Sequence, residues 1–109
     1  MLLTDNIEKG IPPFPLPAEM IQVIHQNEVI KIEKIVSSGQ SSPPGFWYDQ
    51  TLNEWVILLS GAASVRLQKP DKVISLLPGD FLYIPAHQLH RVESTSSEQN
   101  TIWLAIFFP

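Results

Sequence analysis

The sequence predicts an all-β single domain, a sandwich or closed barrel, and three observations carry that prediction. Short runs rich in Ile, Val, Leu and aromatic residues follow one another from Met20 to Phe108, and turn clusters separate them at intervals too short for intervening helices. No segment shows a helical period of convincing length, which leaves many short strands as the only building material. At 109 residues the chain has room for one hydrophobic core.

Residues 1–18 contain Ile11-Pro12-Pro13-Phe14-Pro15-Leu16-Pro17, whose prolines remove backbone donors and favour extended conformations. They are read as an N-terminal Pro-rich arm, with the barrel domain spanning 19–109. Ile11, Phe14 and Leu16 suit packing against the domain or a second subunit, whereas the first ten residues read equally well as a frayed tail. Strands are expected near 20–25, 29–36, 45–49, 53–60, 62–68, 73–77, 80–84, 88–93 and 101–108, with 18–26 open to a helical turn. The intervening turn signals are Gln26-Asn27, Ser37-Ser38-Gly39, Ser42-Pro43-Pro44-Gly45, Gly61, Lys69-Pro70-Asp71, Pro78-Gly79-Asp80 and the polar run Ser94 to Asn100.

Side-chain alternation assigns the faces. In 53–60, Glu54, Val56 and Leu58 share one face, while Trp55, Ile57 and Leu59 share the other; Glu54 is the only polar member of either set. The run Thr101 to Phe108 is likewise apolar on both faces, so an outer sheet face must be covered by the arm, the second sheet or another subunit. A homodimer is the expected solution.

Composition narrows the function classes. With 44% hydrophobic and 17% charged residues the chain suits a globular protein, and its net charge of −4 with seven scattered Lys and Arg offers no footprint for a phosphate backbone, so no nucleic-acid partner is expected. No apolar run approaches the roughly 18 residues needed to span a bilayer. The start Met-Leu-Leu-Thr-Asp lacks the basic opening of a signal peptide, and the absence of cysteine removes disulfides and thiolate metal sites, so a cytoplasmic location is expected. No Gly-rich phosphate loop, Gly-x-Ser-x-Gly elbow or His-Glu-x-x-His motif is present.

The chemistry gathers on two stretches. A carboxylate opening an apolar strand, as Glu54 does, is costly to bury without a partner, so it should be paired, hydrogen-bonded, metal-bound or placed at a barrel mouth. In Pro85-Ala86-His87-Gln88-Leu89-His90-Arg91-Val92, positions 88, 90 and 92 share a strand face, so His90 can point inward while Arg91 and Glu93 point outward. The plainer readings are a His90 ring satisfied by neighbouring backbone or by Glu54, a solvent-facing His87 on a turn, a Glu54 salt bridge to Arg66 or Arg91, and an Asp49 that caps a turn. Trp47 and Tyr48 can line a ligand pocket or simply fill the core.

From Gly39 to Phe108 the sequence resembles the cupin superfamily, and more closely a subgroup of small single-domain bacterial cupins. Glu54-x6-Gly61 fits the end of the family's first motif, and Gly79, Pro85 and His90 fit the second in register. The first motif's two histidine positions fall on Tyr48 and Gln50 or on Trp47 and Asp49, so that motif is degenerate; His87 and Ser94 replace the Gly and Asn of the second. The resemblance implies a cupin-type jelly-roll β-barrel, or double-stranded β-helix. It also implies a divalent Fe, Mn, Ni, Co or Zn ion held by three His and one Glu, here reduced to Glu54 and His90 with Asp49 and His87 as candidate further ligands. Trp47, Tyr48, Gln50 and Phe81 are the candidate ligand-binding walls. Two functions follow: a metal-dependent dioxygenase, isomerase or decarboxylase, or a non-catalytic ligand-binding or sensor cupin that has lost its metal site.

Overall fold

A computed structural model describes residues 3–109, so the first two residues of the expected arm lie outside the described residues. Eight strands follow one another: β1 (Met20–Gln26), β2 (Lys31–Ser37), β3 (Asn53–Ser60), β4 (Ala63–Leu67), β5 (Lys72–Leu76), β6 (Phe81–Ile84), β7 (His90–Thr95) and β8 (Thr101–Phe108). Among the described residues there is no helix. Every pairing is antiparallel; one sheet has the order β1-β2-β8-β3-β6 and the other β5-β4-β7. The two sheets form a jelly-roll barrel, which gives each strand one inward and one outward face.

The core lies between the sheets. Val56, Leu58, Ala63, Val65, Leu76, Ile84, Trp103 and Ala105 form its buried cluster, with Leu58 and Ala105 wholly removed from solvent. Burial of a side chain such as Leu58 contributes roughly 1.5–3 kcal/mol. A second cluster lies where the N-terminal segment crosses the sheet: buried Leu16 packs with Val36 and Ile102, and Ile11 lies against them. The Leu16 amide donates to Ser38 Oγ at 2.8 Å, and Gln40 Nε2 donates to the Leu16 carbonyl at 3.2 Å, so this segment is held by backbone as well as by burial.

Gly61 shows why the family spacing places a glycine seven residues after Glu54. It turns β3 into β4 with φ +89°, and a Cβ built there would lie 2.7 Å from Thr101 Cα on β8, where no side chain fits.

One expectation is corrected. Residues 45–49 are not a strand: Gly45 takes φ +77°, the Phe46 amide turns back to the Pro43 carbonyl at 3.0 Å, and only an isolated bridge joins Tyr48 to His90. Apolar character suggested a strand there, but the preceding prolines and the turn leave the segment without a ladder partner. The strand expected at 20–25, in a segment 18–26 open to a helical turn, is present as β1 and pairs with β2.

Candidate functional site

Glu54, the second residue of β3, stands in register with Phe107 on β8 and Ile84 on β6, while His90 opens β7 in the opposite sheet. Alternation turns both inward at the same end of the barrel, and there they meet: Glu54 Oε1 stands 3.6 Å from His90 Nε2. Both side chains are about nine-tenths buried, with 10% and 7% exposure. They line a cavity of about 520 Å³, whose walls include Tyr48, Gln50, Ile35 and Phe107.

The protonation pattern of the histidine follows from its other contact. His90 Nδ1 lies 2.8 Å from the Gln88 carbonyl, which can only accept, so Nδ1 carries the hydrogen. In the neutral ring Nε2 is then a lone pair facing a carboxylate oxygen, two acceptors with no donor of the protein between them. Gln50 Oε1, buried in the same cavity wall, also lacks a hydrogen-bond donor among the described residues. For Gln50 Oε1, a fully buried acceptor, this condition costs about 1–3 kcal/mol, which a bound donor recovers. Tyr48 stacks on the imidazole at a centroid distance of 5.2 Å, and its phenol pKa is raised, first by burial and then by the charges of Glu19 and Glu54.

The other sequence candidates divide. His87 sits on a turn at φ +65° and pairs through Nδ1 with Asp49 Oδ1 at 2.8 Å; both are exposed, and the pair stands at the lip of the mouth. Asp49 lines the cavity edge but His87 does not. Tyr48 and Gln50 line the cavity, whereas Trp47 does not. Phe81 lies elsewhere: it is 60% exposed on the outer sheet face against the Trp55 ring, because on β6 it is Leu82 and Ile84 that alternate inward. The alternative partners of Glu54 are also occupied, since Arg66 pairs with Asp71 and Glu93, and Arg91 pairs with Glu93.

Residues not singled out in the sequence complete the walls. Lys31, Glu33 and Ile35 share the inward face of β2, and Glu19 precedes β1. Period-two alternation on β2 was the available signal for the first three; Glu19 had none.

A centre of three His and one Glu requires four converging donors. Here the four candidate ligands form two separate pairs, Glu54 with His90 and Asp49 with His87, and among the described residues no group of three or more His, Cys, Asp or Glu side chains could hold an ion. The residues present do not fit that centre.

Against known proteins, the family model for the cupin domain matches residues 34–107. A solved structure from Ralstonia eutropha JMP134, provisionally described as a mannose-6-phosphate isomerase, is similar at 38% identity over 98% of this chain and 98% of its own, with a TM-score of 0.93. An RmlC-like cupin from Shewanella frigidimarina is similar at 19% identity over 84% of this chain and 77% of its own, with a TM-score of 0.67. KdgF from Halomonas sp. is similar at 18% identity over 86% and 82%, with a TM-score of 0.69. The last two show the fold alone. No curated protein matches the chain.

Proposed function

Because this chain belongs to the cupin family, we propose that it is a binding module that holds a small molecule in the barrel mouth, with Glu54 and His90 as the floor of the site. The buried, donor-seeking Glu54–His90 pair carries this reading. Such a pair is poor core material and a ready partner for ligand hydroxyl or amine hydrogens. A cavity of about 520 Å³ accommodates a hexose-sized molecule.

The rival reading is a metal-dependent dioxygenase, isomerase or decarboxylase. It needs a third donor beside Glu54 and His90, and the buried Gln50 Oε1 without a hydrogen bond is the atom that favours it. Elemental mass spectrometry on untagged protein purified without chelators, beside a Glu54→Gln, His90→Ala double variant, separates the two. The binding reading expects substoichiometric metal in both proteins and a co-purified small molecule that the variant loses. Near-stoichiometric Fe, Mn, Ni, Co or Zn that vanishes in the variant would overturn it in favour of the enzyme.

We also propose that a second copy of the chain covers the outer face of the five-stranded sheet, where Phe81 and Tyr83 are 60% and 55% exposed beside Trp55 and Phe108. Light scattering at micromolar concentration should report a dimer; a monomer would refute it.

A further inference from the structure

We propose that the barrel mouth selects uncharged or cationic hydrogen-bond donors, polyols and amines, and rejects anions such as phosphate esters and carboxylates; the inference rests on the binding site proposed above. Four carboxylates line the cavity, those of Glu19, Glu33, Asp49 and Glu54, against the single ammonium of Lys31, so the lining is acidic. The ammonium is already committed. Lys31 Nζ stands 3.6 Å from Glu33 Oε2 and 5.1 Å from the centre of the Phe107 ring. No arginine lines the cavity, so nothing in the wall offers the forked donor that recognises phosphate or carboxylate.

The acidic wall does not stand alone. At its floor the Glu54 carboxylate, on a side chain 10% exposed, makes no hydrogen bond among the described residues, and His90 Nε2, on a side chain 7% exposed, likewise makes none and lines the same space. A ligand N–H or O–H placed between them serves both acceptors. A phosphate oxygen placed there faces a carboxylate and a lone pair, and gains nothing to offset the loss of its hydration. The Tyr48 phenol responds to the same field, since Glu19 and Glu54 both add to the rise in its pKa.

The test uses three probes built on one six-carbon polyol: N-methylglucamine as the cation, sorbitol as the neutral compound and sorbitol 6-phosphate as the anion. Backbone amide shifts of Tyr48 to Leu52 and of His90 are followed by NMR at low ionic strength, where charge effects are least screened. The cationic and neutral probes should move these amides, the phosphate should bind at least about tenfold more weakly than sorbitol, and a Glu19→Gln, Glu33→Gln variant should narrow that gap. Phosphate binding in the mouth as strong as that of sorbitol would overturn the charge selection and leave the binding site standing. Failure of all three probes to move the mouth amides would overturn both.

Discussion

Glu54 Oε1 and His90 Nε2 face each other across the barrel interior at 3.6 Å, too far for a hydrogen bond, while His90 Nδ1 is held at 2.8 Å from the Gln88 carbonyl. The second contact causes the mismatch in the first. In the neutral ring the hydrogen held on Nδ1 leaves Nε2 as a second acceptor facing the carboxylate, and the two residues stand on strands of different sheets.

Replacing Glu54 by Gln removes the mismatch, because the amide NH₂ can donate to Nε2 and no buried carboxylate remains. Glu54→Gln should raise stability by about 1 kcal/mol while weakening ligand binding, the trade expected where a site is held in an unsatisfied state. Thermal melts of the ligand-free protein check the first half. A destabilised variant would mean that Glu54 is a structural partner instead.

The Tyr48 phenol should ionise above its ordinary value of 10.0, with burial as the main cause and Glu19 and Glu54 as the next two. Alkaline spectrophotometric titration beside a Tyr83→Phe variant isolates the group, and Glu19→Gln or Glu54→Gln should lower its midpoint. The sign for stability follows from linkage: a folded pKa above the unfolded one gives a contribution fully present below pH 10.0 and lost as the pH rises through the folded value.

At the far end of the barrel, Gly61→Ala should destabilise the protein by roughly 3 kcal/mol or more, because both the left-handed backbone and the contact with Thr101 Cα oppose a Cβ. In a thermal melt that corresponds to a loss of about 12 °C or more. An unchanged melting temperature would show that β3 and β8 can separate there at little cost.

Leu16 tests whether the N-terminal segment belongs to the fold. Its side chain is buried against Val36 and Ile102, so Leu16→Ala should cost about 2 kcal/mol and speed hydrogen exchange at the Leu16 amide. Pro17→Ala, at an exposed neighbouring position, serves as the control.

Much of this protein was determined by local sequence. Alternation placed Val56 and Leu58 inside with Glu54, the turn residues delimited β3 and β8, and the spacing Glu54-x6-Gly61 with Gly79, Pro85 and His90 carried the family. These features are readable because a strand's period of two and a turn's backbone needs act over a few residues. What lies further apart was decided by tertiary structure. Pairing sets which end of β2 reaches the mouth, so Lys31 and Glu33 became walls, and it set Phe81 on the outer face. It also divided four candidate ligands into two pairs, because Asp49 and His87 meet on loops at the lip while Glu54 and His90 meet between sheets. Spacing along a strand says which way a side chain points; only the closure of two sheets says what it meets.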